Sequence, residues 1–406
     1  MDKKTILIIT QRFYPDTFGG SGRVVWEQGR DLAARGYRVI VVAPRSRSNL
    51  LPEDTIDGMH VFRYQGSSWQ KFFGQSFVDL TAGRREIQKI GEKFSVDLVI
   101  LHHTFPAAAY YKTDISKKLP AIYIFHASLY RELKVEGLTR KIRPTFFARI
   151  VAFFLGQIAK KKEAEIFHRV KKILVFSDFS RRVLAETYPG AEDRVQKISG
   201  GVHESYLLSA ETREAACEKL NLPFDRPILF VVRRLTPRMG LQNLISAIGI
   251  ITDERQDVLL LIAGDGPLCF ELKKLIQKNK LEANARLLGK ITDEELRLYY
   301  RAADVFILPT LVYEGLGLAT LEALASGLPV LGTAVGATPE ILNQLDPELV
   351  MSDGSPKTMA KKILWFLDNK IGDEVLRESA RVLAREKYSW EKSVDELELI
   401  INGLTN

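Results

Sequence analysis

The chain has 406 residues, 46% hydrophobic and 27% charged, which is typical of a globular protein and too long for a single core. Its two cysteines, Cys217 and Cys269, exclude a disulfide framework. No apolar run reaches the roughly 18 residues that a spanning helix needs. We therefore expect two domains in a cytoplasmic protein without a transmembrane segment.

The net charge of +8 is concentrated in one segment. Arg131–Lys172 holds 12 of the 58 Lys and Arg residues but only 4 of the 50 Asp and Glu residues. It also contains the apolar run PTFFARIVAFFLGQI. This mixture suits binding to an anionic membrane surface. The protein would then be a peripheral protein on the inner face of the membrane. An amphipathic helix with a solvated basic face explains it equally well. Nucleic acid is not expected as a partner, because no recognition motif accompanies the charge.

The N-terminal half alternates strands with loops and helices. A buried strand at TILIIT (Thr5–Thr10) precedes a glycine-rich loop, FGGSG, and a helix at Val24–Gly36. Further strands are predicted at Tyr37–Pro44, Val96–Leu101, Ala121–His126 and Lys172–Ser177. Such a strand–loop–helix–strand order predicts a parallel α/β sheet.

A second series of the same kind follows the polar stretch His203–Ala215. Its strands are predicted at Pro227–Val232, Val258–Gly264, Ala285–Gly289, Val305–Pro309 and Pro329–Thr333. The fold class is therefore α/β, with two Rossmann-like doubly wound parallel-sheet domains facing a central cleft. Functional residues are expected just after the strands, at the carboxyl edge of each sheet.

Three short motifs follow predicted strands. GGSGR (Gly19–Arg23) is either an anion-binding loop or a plain tight turn, and the residues favour neither. VVRRLTPRMG (Val231–Gly240) carries three arginines, Arg233, Arg234 and Arg238. A phosphate clamp explains them better than a solvated rim does, because arginine donates bidentately and keeps its charge. GDGP (Gly264–Pro267) is predicted to be a structural turn.

The stretch EGLGLATLE places Glu314 and Glu322 eight positions apart around two glycines and the start of a helix. The helix N-terminus favours a phosphate, and each flanking carboxylate can bind a pair of hydroxyls. Hydroxyl pairs on both sides of a phosphate describe a nucleotide sugar. Alternatively, Glu322 is an ordinary acid on a helix surface and Glu314 a solvated loop acid.

With these motifs the sequence resembles the retaining glycosyltransferases of family 4, which have the two-domain GT-B fold. The resemblance also rests on FHASLY, FSDFSRR, GGVHESY, LYYRAADVFILPT and YSWEKSVDEL, in that order along nearly the whole chain. It implies an N-terminal acceptor-binding domain at residues 1–203 and a C-terminal donor-binding domain at 204–387. The last segment, 388–406, is expected to cross back onto the first domain.

The resemblance also implies roles for single residues. Glu314, His126 and Arg234 correspond to catalytic residues, with Glu314 facing the donor sugar. The residues that correspond to the donor-binding set are Gly19, Gly20, Arg234, Arg238, Gly315, Leu316, Gly317, Leu318 and Glu322. Two positions depart from the family pattern: Arg233 replaces a glycine and Met239 replaces a lysine. Arg238 is the predicted substitute for that lysine.

The expected activity is metal-independent transfer of a hexose from a nucleotide sugar, with retention of anomeric configuration. No Asp-x-Asp motif occurs, no metal or other cofactor is expected, and a UDP-sugar is favoured over a GDP-sugar as co-substrate. The acceptor, which could be a glycan, a lipid-linked sugar or a small molecule, stays open. A nucleotide-sugar epimerase of the same fold and a non-catalytic, membrane-associated nucleotide-sugar-binding protein are the alternatives.

Overall fold

The computed structural model describes residues 4–17, 19–65, 80–139, 146–207 and 211–405. The chain divides into two units. The first takes in Met1–Gly137, Arg143–Gly200 and Trp390–Asn406, and the second takes in Gly201–Ser389. Each unit is an α/β unit built on one sheet.

The described part of the first unit contains a sheet of eight strands, β1 to β8 in chain order. They are Thr5–Ile9, Arg38–Pro44, Glu53–Ile56, Met59–Tyr64, Leu98–His102, Ala121–Ile124, Lys172–Val175 and Val195–Lys197. The sheet order is β3-β4-β2-β1-β5-β6-β7-β8. The helices of this unit are Gly20–Ala34, Leu80–Lys93, Thr104–Tyr110, Leu129–Thr139, Phe146–Arg169, Asp178–Thr187 and Trp390–Thr405.

One edge of this sheet differs from the all-parallel prediction. Strands β3 and β4 pair antiparallel, whereas the other described pairs are parallel. Asp57 and Gly58 connect them and both have positive φ, the conformation that tight hairpin turns require. The prediction missed this hairpin because its outer strand is polar and partly exposed rather than a buried apolar run.

The second unit contains six described strands, all paired in parallel, β9 to β14. They are Ile228–Val232, Leu259–Ala263, Ala285–Gly289, Val305–Leu308, Val330–Thr333 and Val350–Met351, in the sheet order β11-β10-β9-β12-β13-β14. The helices are Arg213–Lys219, Leu241–Thr252, Cys269–Lys278, Asp293–Ala302, Leu318–Ala325, Thr338–Leu342, Pro356–Asn369 and Glu374–Lys387. The central strands are buried, apart from Val232 at the end of β9, because helices cover both faces of a parallel sheet.

The C-terminal helix, Trp390–Thr405, belongs to the first unit. Arg35, just after helix Gly20–Ala34, forms ion pairs with Asp395 at 2.6 Å and with Glu398 at 2.9 Å. Glu398 also accepts a hydrogen bond of 2.8 Å from the Tyr37 hydroxyl. These contacts hold the end of the chain beside its first helix.

The predicted glycine loop also differs from the structure. Helix Gly20–Ala34 begins within it, and Gly19, at φ 138°, is its N-cap. The glycines therefore form both the end of the loop and the first helical turn. The first N–H groups of that turn have no partner within the helix. Phe18 of the predicted loop lies outside the described residues. No helix in the described ranges is both long and apolar enough to cross a membrane.

Candidate functional site

Glu314 is held by a buried cluster in the second unit. Its Oε2 accepts a hydrogen bond of 2.6 Å from Arg233 Nη2 and one of 3.1 Å from Thr310 Oγ1. Arg233 Nη1 also donates to Thr310 Oγ1 at 2.9 Å. The side chains of Arg233 and Glu314 are only 8% and 11% exposed. We call Arg233, Thr310 and Glu314 the arginine–glutamate cluster.

Sheet topology explains why these residues meet. Arg233 follows β9 directly, and Thr310 and Glu314 lie in the loop after β12. Strands β9 and β12 are parallel neighbours, so their carboxyl ends lie at the same edge of the sheet. At this depth each partner compensates the other's charge, so removal of either one would leave an uncompensated buried charge.

The backbone around Glu314 is fixed by its neighbours. Ala337 N donates to Glu314 O at 2.9 Å, and Arg238 Nη1 donates to Tyr313 O at 3.0 Å. Gly336 lies so close that a Cβ there would overlap the Glu314 carbonyl. Tyr313 itself has φ 62°, a costly conformation for a bulky residue. The loop therefore presents Glu314 from one defined position.

Helix Leu318–Ala325 begins immediately after the motif glycines. Gly317, at φ 79°, is its N-cap, and no side chain caps the helix. Thr320 in the first turn is fully buried, and its Oγ1 has no hydrogen-bond partner among the described residues. An uncapped helix N-terminus attracts anions, and Thr320 adds an unused hydroxyl there. Gly315 and Leu316 lead into this turn.

Glu322 lies in the second turn of the same helix and is partly exposed. Its Oε2 accepts a hydrogen bond of 3.0 Å from the Tyr300 hydroxyl, which also contacts Ala319 O at 3.3 Å. Burial first, and then the neighbouring Glu322, raise the pKa of Tyr300 well above its usual value. Tyr300 therefore stays protonated and serves as a hydrogen-bond donor that orients Glu322.

The three arginines of VVRRLTPRMG have three different environments. Arg233 is held in the arginine–glutamate cluster, and Arg238 is partly buried against the Tyr313 carbonyl. Arg234 is exposed, and its side chain forms no hydrogen bond or ion pair with any described residue. Met239 is buried in the core at 5% exposure.

The GDGP turn supports this arginine loop. Leu235 N donates to Asp265 O at 3.0 Å, and Leu268 N donates to Leu235 O at 3.0 Å. The turn therefore has a structural role, as predicted.

In the first unit, three histidines gather at the carboxyl ends of β5 and β6. His102 Nδ1 lies 2.9 Å from His126 Nε2, and His103 Nε2 lies 3.0 Å from Ser21 Oγ in the first turn of helix Gly20–Ala34. The ring of His126 stacks between those of His102 and His103, with centroid separations of 5.2 and 5.3 Å. We call these three residues the histidine cluster.

Burial keeps the histidine cluster neutral. Burial first, and then the Arg12 guanidinium, lower the pKa of His126 to about 3. Burial, His126 and Arg12 lower the pKa of His103, and burial and the two other histidines lower that of His102. Neutral imidazoles both donate and accept hydrogen bonds, which suits hydroxyl groups.

A buried carboxylate fixes the chain after His126. Glu163, on helix Phe146–Arg169, accepts hydrogen bonds from Leu129 N at 2.8 Å and Tyr130 N at 3.2 Å. The Tyr188 hydroxyl donates to Glu163 as well. Burial raises the pKa of the Glu163 carboxyl. This acid therefore holds the FHASLY turn in place.

Sequence reasoning missed Thr310, Tyr300, Thr320, His102, His103 and Glu163. It assigned Arg233 to a phosphate clamp, whereas the structure pairs its guanidinium with Glu314 and Thr310. The departure of Arg233 from the family glycine was a signal, because a charged residue in a glycine position needs a partner. Across the described ranges, no three His, Cys, Asp or Glu side chains are grouped so that they could hold a metal ion.

The fold and this site define a glycosyltransferase of the GT-B type. Residues 18–206 match the family described as Glycosyltransferase Family 4, and residues 212–383 match Glycosyl transferases group 1. The protein belongs to the family 4 glycosyltransferases.

Two relatives show the range of the family. Phosphatidyl-myo-inositol mannosyltransferase of Mycobacterium tuberculosis is 26% identical over 92% of this chain and 90% of its own. A GDP-mannose-dependent monoacylated alpha-(1-6)-phosphatidylinositol monomannoside mannosyltransferase of Corynebacterium glutamicum is 28% identical over 53% of this chain. The chain spans only 58% of the length of that relative.

Solved structures share the fold at lower identity. Sucrose-phosphate synthase of Thermosynechococcus elongatus has a TM-score of 0.83 at 20% identity, covering 99% of both chains. Anabaena HepE, solved with UDP and glucose, has a TM-score of 0.74 at 15% identity, covering 98% of this chain and 100% of its own.

Proposed function

We propose that this protein transfers a hexose from a nucleoside diphosphate sugar to an acceptor hydroxyl, with retention of anomeric configuration. The observation that carries the proposal is the placement of Glu314 and Glu322 on either side of the uncapped N-terminus of helix Leu318–Ala325. That arrangement offers an anion site between two carboxylates that can bind hydroxyls.

Each part of the site has a role in this proposal. Glu322, oriented by Tyr300, binds the ribose hydroxyls, and Glu314 binds the transferred sugar. The backbone of Gly315–Leu318 and the exposed guanidinium of Arg234 bind the diphosphate. Arg238, whose Nη1 donates to Tyr313 O, adds a second positive charge on the side of the diphosphate. The roles of Gly19, Gly20 and His126 in the first unit stay predictions from the family resemblance.

The proposed reaction takes place on one face of the sugar. The bond from the anomeric carbon to the phosphate oxygen breaks, and its electron pair stays on the phosphate. Arg234 and the helix N-terminus stabilise that charge. The acceptor oxygen then bonds to the anomeric carbon from the same face and passes its proton to the leaving phosphate. Proton NMR of the product tests retention, and an inverted linkage contradicts it.

The donor is best identified with a panel of nucleotide sugars. A UDP-sugar is the default expectation, although the motifs are compatible with either nucleotide, and the Corynebacterium relative is named as GDP-mannose-dependent. UDP-glucose, UDP-galactose, UDP-N-acetylglucosamine and GDP-mannose should be scored by thermal shift and then by release of the nucleoside diphosphate. Binding and release with at least one donor support the proposal. Conversion of the nucleotide sugar to an epimer contradicts the proposal. Binding of a nucleotide sugar with no turnover in the presence of each acceptor class contradicts it as well.

We further propose that no metal ion takes part. Arg234, Arg238 and the helix N-terminus already place positive charge beside the diphosphate. Turnover in excess EDTA should equal turnover in added Mg²⁺ or Mn²⁺. A loss of activity in EDTA that either metal restores contradicts this part of the proposal.

We also propose that helix Phe146–Arg169 docks on an anionic membrane, where a lipid-linked acceptor would lie. Phe153, Phe154 and Ile158 are 62%, 60% and 58% exposed, and the exposed Lys161 and Lys162 follow them on the same helix. Exposed apolar side chains beside lysines complement an anionic bilayer surface. Residues 140–145 of the predicted basic segment lie outside the described residues.

Vesicle flotation tests the membrane proposal. The protein should float with vesicles that contain phosphatidylglycerol and less with phosphatidylcholine alone, and salt should weaken the binding. A Phe153→Ser, Phe154→Ser, Ile158→Ser triple variant should lose flotation. Phe270→Ser is the matched control, because Phe270 is 69% exposed on the second unit. Equal flotation of both variants contradicts the docking surface.

A further inference from the structure

The two oxygens of Glu314 have different environments. Oε2 receives both hydrogen bonds of the arginine–glutamate cluster, from Arg233 and from Thr310. Oε1 has no hydrogen bond to any described residue, yet it is not sealed in the interior. One oxygen is therefore used by the protein, and the other is left for a ligand.

The guanidinium of Arg233 donates to this carboxylate and to its neighbour Thr310. Nη1 donates to Thr310 and Nη2 to Glu314, and the side chain is 8% exposed. The backbone N–H of Arg233 is bonded to Ala263 O at 3.0 Å. Arg233 is thus unsuited to contact a phosphate, in contrast to the exposed Arg234 beside it.

We propose that Arg233 is a positioning residue for donor-sugar recognition. Together with Thr310 it fixes the Glu314 carboxylate, so that Oε1 accepts hydrogen bonds from hydroxyl groups of the transferred sugar. The two adjacent arginines therefore act on different parts of the nucleotide sugar. Arg234 binds the diphosphate, and Arg233 acts on the sugar by positioning Glu314. This inference rests on the proposed function and identifies how the site recognises the sugar part.

The proposal requires a ligand that donates hydrogen bonds to Oε1. A carboxylate paired with a guanidinium stays an acceptor, so a hexose with free hydroxyls suits it. Replacing the contacted sugar hydroxyl with hydrogen or a methyl ether removes the group that donates the hydrogen bond to Oε1. Deoxy and O-methyl analogues of the best donor should therefore identify one hydroxyl whose loss weakens binding to the wild type.

Calorimetric titration of the intact protein with the best nucleotide sugar, and separately with its nucleoside diphosphate, tests the proposal. In Arg233→Ala, the dissociation constant of the nucleotide sugar should rise about 10-fold or more, as for a lost charged hydrogen bond. That of the nucleoside diphosphate should stay within about twofold, since that ligand lacks the sugar. The matched control is Arg234→Ala, which should weaken both ligands by similar factors.

Conservative variants separate positioning from simple stability. Arg233→Lys keeps the charge and should recover part of the lost affinity, and Thr310→Val should show the same selective loss with a smaller factor. Arg233→Ala should add little to the loss caused by Glu314→Gln, because both act on one contact. Melting temperatures confirm that each variant is folded, and Thr310→Val provides the test if Arg233→Ala does not fold.

The outcomes distinguish this proposal from the proposed function. If the wild type binds no nucleotide sugar, the proposed function and this inference both fail. If the wild type binds and turns over a donor, but Arg233→Ala and Thr310→Val weaken both ligands equally or neither, only the role of Arg233 is overturned. Full additivity of Arg233→Ala with Glu314→Gln overturns it too.

Discussion

The arginine–glutamate cluster and the histidine cluster occupy the same topological position in the two units. Both lie at the carboxyl ends of adjacent parallel strands, and each combines buried with partly exposed members. The first holds a pair of opposite charges, Arg233 and Glu314, at 2.6 Å. The second contains only imidazoles, and the guanidinium of Arg12 helps to lower the pKa of His126. Similar burial therefore produces a fixed carboxylate in one unit and neutral rings in the other.

The two clusters differ in the partner that each group has rather than in its depth. Glu314 is compensated within hydrogen-bonding distance, whereas His126 has a neutral partner in His102. A fixed carboxylate accepts hydrogen bonds only, and a neutral imidazole both donates and accepts. The two clusters are therefore suited to different hydrogen-bonding groups.

The largest expected effect comes from breaking the charged pair. Arg233→Ala leaves Glu314 buried without compensation and should lower the free energy of unfolding by about 3 kcal/mol. Urea unfolding measures this. The neighbouring Arg234→Ala is the control and should change stability by less than about 0.5 kcal/mol, because Arg234 is exposed. An equally small loss for Arg233→Ala would show that the pair is not compensated in the way described.

Lowering the pH should destabilise the protein through the histidine cluster. The pKa of His126 is lowered to about 3, below the roughly 6.5 of an unfolded chain. Between these values the unfolded state binds more protons, so the His126 contribution is fully present above pH 6.5 and is lost as the pH falls toward 3. From pH 7 to pH 5 this costs up to about 2 kcal/mol.

The variant His126→Gln isolates this effect from other titrating groups, such as Glu163. Its free energy of unfolding should fall less between pH 7 and pH 5 than that of the wild type. The same loss in both proteins means that His126 is not the neutral ring described here.

A smaller effect is expected at Glu322. Tyr300→Phe removes the 3.0 Å hydrogen bond to its carboxylate and should weaken nucleoside diphosphate binding by roughly 3- to 10-fold. Tyr299→Phe is the control, since Tyr299 stacks on Phe230 and forms no hydrogen bond with Glu322. Calorimetric titration of both variants decides. If they bind the nucleotide alike, Tyr300 does not orient the ribose-binding acid.

The sequence predicted the alternation of strands and helices because parallel strands are continuous apolar runs, such as the stretches that became β9 and β12. It also placed Glu314 and Glu322 around a helix start. It did not predict which arginine pairs with Glu314, because that depends on which strands become neighbours in the sheet. The histidine cluster was missed for the same reason: His102 and His126 are 24 positions apart and meet only when β5 pairs with β6.

The central claim is that Glu314, held by Arg233, binds the sugar of a nucleotide donor. Release of nucleoside diphosphate from the best donor, compared between the wild type and Glu314→Gln, tests it most directly. We expect kcat/KM to fall at least about 100-fold while affinity for the free nucleoside diphosphate stays within about twofold. Unchanged turnover in Glu314→Gln, or an equal loss of nucleoside diphosphate affinity, would contradict the claim.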